Sequence, residues 1–209
     1  MSANKPYIIG LTGGIATGKS TASRFLRDLE VVVIDADAIS HRMMLPGGEA
    51  VEPVRAAFGD EYINEDGSVN RRALGELIFP DVTLRRQLEG IVHPLVQRLT
   101  LDLIRQAQEL GEKIVVLDVP LLFESGMDVL CDETWVITLS PEKQLKRLME
   151  RDNCSEKAAL ERINSQMPQE EKVRRATEVI DNERTEEKFL GELKSLYNAT
   201  RRRVERENA

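Results

Sequence analysis

Residues 7–21 read YIIGLTGGIATGKST, and the order of chemistry along that stretch decides the fold. Residues 7–12 form a short apolar run that stops at Gly13-Gly14, as a buried strand does on meeting a glycine-rich turn. From residue 19 to 29 the pattern turns helical. Between the two, Gly13, Gly14, Ile15, Ala16, Thr17, Gly18, Lys19 and Ser20 satisfy G-x-x-x-x-G-K-[ST], in the strand–loop–helix setting that a phosphate-binding loop needs. Glycines let backbone N–H groups turn toward phosphate oxygens, and the positive end of the following helix dipole sits behind them. Lys19 is then expected to reach the β and γ phosphates of a nucleotide and Ser20 to ligate Mg²⁺, with Thr21 grouped among the nucleotide-binding residues. A glycine-rich turn that matches by chance is the competing reading, and the flanking strand and helix count against it.

Working outward, the apolar run 31–34 ends in Asp35-Ala36-Asp37, the run 114–117 ends in Asp118, and the run 134–139 ends in Ser140-Pro141. With residues 7–12 these make four strands of near-continuous hydrophobic character. Such runs suit strands covered on both faces, so the expected fold is α/β, a P-loop NTPase parallel sheet covered by helices. Glu178-Val179-Ile180 is a candidate last short strand before a polar C-terminal helix. Between Asp37 and Glu112 no comparable run occurs, and helical patterns at 51–58, 71–78 and 84–110 occupy the span instead. The expected organisation is a core of residues 5–40, 112–140 and 174–205, a helical insertion at 41–111, and a charged helical region at 141–173.

Composition narrows the function classes. The 209 residues fit one globular domain with a substantial core, and oligomeric state is left open. A net charge of −7 repels polyanions, and aromatic residues at 4% leave little material for base stacking, so a nucleic-acid role is not expected. Cys131 and Cys154 are the only cysteines and form no metal or disulfide pattern, which predicts a reducing, cytoplasmic setting. The apolar stretch near the N-terminus is too short, and too soon interrupted by glycine, for a signal segment or membrane span.

Asp118 closes its strand where a Walker B carboxylate stands, able to hold magnesium directly or through water; a strand-end turn residue is the alternative. Asp35 and Asp37 end their strand two apart, so in extended backbone both carboxylates point the same way. Phosphoryl transfer to an alcohol needs a carboxylate that orients the hydroxyl and takes its proton. Asp37 is the candidate, with Asp35 in support, although Asp37 is equally suited to capping a helix that begins at Ala38-Ile39-Ser40. Arg147 and Arg151 lie four apart on one predicted helix. They form either a clamp on phosphate charge or part of a solvated face with interleaved Glu142, Glu150 and Asp152. His93 precedes Pro94 and is expected at a helix boundary.

Two segments, LTGGIATGKST at 11–21 and IDADAISHR at 34–42, together resemble the opening of the dephospho-CoA kinase family. The resemblance continues through His93-Pro94, VLDVPLLFESGMD at 116–128, Gln144 with Arg147 and Arg151, Arg162 with Gln166, and VIDN at 179–182. It implies transfer of the γ-phosphate of ATP to the 3′-hydroxyl of dephospho-CoA, the last step of coenzyme A synthesis, on a nucleoside-monophosphate-kinase-like fold. It also implies that Asp37 is the catalytic base, that Asn182 lies near the adenine, that 141–173 is an arginine-bearing lid, and that 41–111 binds the acceptor through Leu74, Ile78, Phe79 and His93. Asp28-Leu29-Glu30 and Ala176-Thr177 depart from what the family often has at those places. The alternatives to be separated are a nucleoside or nucleotide kinase of the same fold, a regulatory NTPase, and a binding module without turnover.

Overall fold

The computed structural model describes residues 5–207. The chain divides into two compact units, one made of Met1–Ile34 with Ile104–Ala209 and the other of Asp35–Leu103.

In the first unit, strand β1 (Tyr7–Gly13) runs through the phosphate loop into helix α1 (Lys19–Asp28), and β2 (Val32–Asp35) follows. In the second unit, helices α2 (Ala36–Met43), α3 (Val51–Phe58) and α4 (Arg71–Ile78) precede the long α5 (Val82–Glu109), which continues into the first. Then come β3 (Ile114–Asp118), β4 (Glu133–Thr138), α6 (Pro141–Asp152), α7 (Glu156–Asn164), α8 (Gln169–Arg175), β5 (Glu178–Asp181) and α9 (Glu186–Glu207). The sheet order is β2-β3-β1-β4-β5, with β1 parallel to β3 and β4, and β4 parallel to β5. The candidate last strand is therefore a true member of the sheet.

Register positions the site. Leu11 pairs with Asp118 and Gly13 with Ile137, so the loop leaves β1 at the carboxyl ends of its two neighbours. β1 has β3 on one side and β4 on the other, and the crevice where such connections diverge is where open α/β sheets bind ligands. Beneath it, Ile9, Leu11, Val116, Trp135 and Ile137 pack against Leu26 of α1 and Phe189, Leu193 and Val204 of α9. These residues are the apolar runs of the sequence, buried on both faces as their continuity requires.

Three local expectations are corrected. β2 stops at Asp35, whose carboxylate accepts from the Ala38 N–H at 2.9 Å and caps α2. Helical backbone from Ala36 onward turns Asp37 away from the same-side arrangement with Asp35, and Asp37 is not the cap; it is an exposed residue of the first turn. Pro94 lies inside α5, so His93 is a mid-helix, exposed residue and not a boundary. Proline deprives the Gly90 carbonyl of its helical partner, and Gly90 and Pro94 both lie on the exposed side of the helix. Leu74, expected to meet the acceptor, is only 2% exposed, among the core residues of the second unit with Met43, Val54 and Val69.

Candidate active site

The phosphate loop owes its shape to two strained positions and a set of braces. Gly18 has φ +106° and Ala16 φ +62°, the left-handed region that bends the chain back into helix α1. A Cβ on Gly18 would lie 2.2 Å from Asn182 Nδ2, which itself donates to the Thr17 carbonyl at 2.7 Å. Asn182 is buried at the end of β5, so its first contribution is to brace the loop. Thr17 donates through both its N–H (3.2 Å) and its hydroxyl (2.8 Å) to the Gly14 carbonyl, closing the turn from inside.

Lys19, at the start of α1, is ion-paired with Asp118, whose other oxygen accepts from the Ser23 hydroxyl. Asp118 is 3% exposed, and both oxygens are satisfied, as a buried carboxylate requires. Ser23 went unnoticed in the sequence, yet it lies one helical turn after Lys19, and that spacing alone puts the two side by side. Ser20 stands exposed at the loop's end.

A cavity of about 410 Å³ opens over the loop, lined by Ala16, Ser20, Thr21, Arg147, Arg151 and Asn182 among others. These residues come from α1, α6 and the end of β5, so both arginines of α6 border the cavity, while Arg151 also makes the ion pair with Asp152 expected of a solvated face. Arg151 is held by Asp152 through Nε (2.7 Å) and a terminal nitrogen (3.1 Å), and Arg162 of α7 reaches the same carboxylate at 2.7 Å. These hydrogen bonds, Arg151 foremost, draw the Asp152 carboxyl below its ordinary value and raise the Arg151 guanidinium. The start of α6 is pinned by Glu183, which accepts from the Ser140 N–H and pairs with Lys143 at 2.8 Å. Lys143 and Ser140 bring its carboxyl down to about 2.

The region after α7 is tied down more firmly than a charged surface predicts. Lys172 of α8 is fully buried, donating to Glu124 at 2.9 Å and to the Pro120 carbonyl at 3.2 Å. Glu124 also accepts the Met167 N–H at 3.0 Å. Of the remaining candidates, Asp37 is on α2, Ile78 ends α4, Phe79 follows it 60% exposed, and His93 is on α5. All four belong to the second unit.

A phosphate loop at the switch point of a parallel sheet, with a half-buried lysine paired to a buried carboxylate beneath it and arginines bordering the cavity above it, defines a P-loop kinase. The dephospho-CoA kinase family model matches residues 7–187. The chain is 44% identical over 192 residues to a dephospho-CoA kinase of Symbiobacterium thermophilum, covering 92% of this chain and 80% of the relative. A Thermus thermophilus crystal structure superposes with a TM-score of 0.81 at 34% identity, covering 94% of this chain and 98% of that one. The dephospho-CoA kinase of Campylobacter jejuni does so at 0.65 and 26%, with the same coverage. The chain belongs to the dephospho-CoA kinase family, and it phosphorylates dephospho-CoA with ATP in coenzyme A biosynthesis. That substrate sets aside the nucleoside-kinase, regulatory-NTPase and binding-module alternatives.

Proposed function

We propose that the residues of the loop and of α6 divide the reaction as follows. The backbone N–H groups of Ala16, Gly18, Lys19 and Ser20 hold the β and γ phosphates of ATP, Lys19 neutralises charge on the transferring group, and Arg147 and Arg151 close on it from α6. The observation that carries this reading is the convergence of Ser20, Thr21, Arg147, Arg151 and Asn182 on one cavity above the loop. Because phosphoryl transfer is largely dissociative, alignment and charge stabilisation supply most of the rate.

The exposed Ser20 hydroxyl is an oxygen donor that fits magnesium and would hold the ion, with Asp118, whose two oxygens are engaged by Lys19 and Ser23, acting through water. Among the described residues no group of three or more His, Cys, Asp or Glu side chains could hold a metal ion. When bound, Mg²⁺ would neutralise phosphate charge. Asp37 accepts a hydrogen bond from the acceptor's 3′-hydroxyl and takes its proton. Ile78, Phe79 and His93 meet the acceptor, apolar side chains against the pantetheine arm and the imidazole against its polar end; buried Leu74 supports them from the core. Two free thiols accord with a reducing, cytoplasmic place of work, and no helix among the described residues is long and apolar enough to cross a membrane.

The test follows ADP release and acceptor mass with dephospho-CoA, adenosine, AMP, CMP or no acceptor. Phosphorylation at the 3′ position of dephospho-CoA is expected, reduced about 10²–10⁴-fold in Asp37→Asn. Native turnover in that variant would remove Asp37 from the reaction.

A further inference from the structure

Both polar groups of the Ile15 backbone are taken by side chains from distant parts of the chain. Its N–H donates to Gln166 Oε1 at 2.8 Å, and its carbonyl accepts from Gln144 Nε2 at 2.8 Å. The partners fix how each amide must face, oxygen forward in Gln166 and nitrogen forward in Gln144. Gln144 is buried, and it reaches the loop through the space a side chain at position 14 would fill: a Cβ on Gly14 would lie 2.7 Å from Gln144 Nε2.

An inventory of the loop shows what this grip leaves for a ligand. The Gly14 carbonyl is used by Thr17 and the Thr17 carbonyl by Asn182. Among the described residues the N–H groups of Ala16, Gly18, Lys19 and Ser20 make no hydrogen bond to protein, so these are the donors directed to phosphate. Gln144, Arg147 and Arg151 follow one another at spacings of three and four along α6, one stripe of that helix. The stripe that grips the loop is therefore the stripe whose arginines line the cavity above it. Gln166 is steadied in turn, because the next residue's N–H is fixed by Glu124 and the following helix by buried Lys172.

We propose that Gln144 and Gln166 are positioning residues for ATP. Holding the Ile15 peptide from both sides, they set the phosphate-binding N–H groups and couple the loop to the arginine stripe of α6. The proposal rests on reading residues 13–20 as the ATP phosphate loop.

Full-length Gln166→Met and Gln144→Met keep side-chain volume and remove the polar atoms. Each is compared with the native enzyme in steady-state kinetics, with MgATP and dephospho-CoA varied separately, in thermal melts, and by hydrogen exchange at the Ile15 amide. Gln166→Met is expected to raise KM for ATP about tenfold, to leave KM for dephospho-CoA within about twofold, and to speed Ile15 exchange about tenfold or more. The double variant should lose less than the product of the single losses, since both side chains hold one peptide. Lower melting temperatures with a native KM for ATP would overturn the proposal, as would equal rises in both KM values. Should Gln166→Met fail to fold, Gln144→Met carries the same KM comparison. Lys19→Ala tells the two readings apart. Unchanged ATP turnover there would remove the phosphate loop itself, whereas loss there with a native ATP KM in both glutamine variants would remove only the positioning role.

Discussion

Lys19 is proposed to do two things at once, and its removal should set it apart from the charged residues that line the cavity. In the proposed reaction it offers an ammonium to the phosphates, and in the structure it neutralises Asp118, a carboxylate held 3% exposed beneath the loop. In Lys19→Ala the cation is lost and Asp118 keeps only the Ser23 hydroxyl, a costly state for a buried charge. We expect kcat/KM for ATP to fall about 10³-fold, against about tenfold to 10²-fold for Arg147→Ala or Arg151→Ala, whose charges overlap in role. Steady-state kinetics on the three variants decide this, and an arginine variant as damaged as Lys19→Ala would contradict it. At Gly18, the φ of +106° and the 2.2 Å approach of Asn182 to any Cβ act together. Gly18→Ala should therefore lose about 1–3 kcal/mol in denaturant unfolding and displace Asn182 from Thr17.

At the scale of elements, the proposed role of α6 requires its arginine stripe to face the loop, and the Glu183 knot sets the start of that helix. Lys143 and the Ser140 N–H hold the Glu183 carboxyl at about 2, below its ordinary 4.5. A folded-state value below the unfolded one stabilises the protein fully above pH 4.5 and loses that effect as pH falls toward 2. The melting-temperature advantage of the native protein over Glu183→Gln should accordingly be flat from pH 7 to 5 and shrink steadily below. An advantage independent of pH would mean that the carboxylate charge plays no part. The loop and the apolar runs were legible in the sequence because each is a local signal, a spacing of glycines or an uninterrupted run. The start of α2 was not, since Asp35 and Asp37 are equally good caps until the end of β2 is known. Nor was the passage of α5 through Pro94, which depends on Gly90 facing water, nor the burial of Leu74, because an apolar stripe does not say which of its members face inward. The braces of the loop lie furthest from local reading: Gln144, Gln166 and Asn182 reach it across 129, 151 and 165 residues of chain. No periodicity encodes contacts of that range; only the completed sheet order brings α6, the α7–α8 connection and the end of β5 to one edge.

Across the whole molecule, the end of the sheet remote from the phosphate loop is closed by a single buried acid. Glu133, 2% exposed at the start of β4, accepts from Trp135 Nε1 at 2.6 Å, Thr200 at 3.4 Å, the Tyr7 hydroxyl at 3.0 Å and the Arg203 guanidinium. It thereby joins the first strand, the fourth strand and the last helix. Burial and the adjacent Glu133 charge push the Tyr7 phenol up to about 12, so it remains a neutral donor throughout the working range. Glu133→Ala leaves the Trp135 and Tyr7 donors without their acceptor and should cost about 2–4 kcal/mol, or about 4–16 °C in melting temperature for a chain of this size. Ile9, paired with Glu133, stands four residues before Gly13 on β1, about 13 Å along the strand. Packed β-strands transmit little of a side-chain loss over that distance when the backbone ladder is intact. Kinetics at 25 °C on the folded variant should thus show kcat/KM for ATP within about twofold of native. A folded Glu133→Ala with impaired ATP turnover would instead mean that the sheet carries strain from its closed end to its catalytic edge, and that the tie between the two ends of the chain serves the loop as well as the fold.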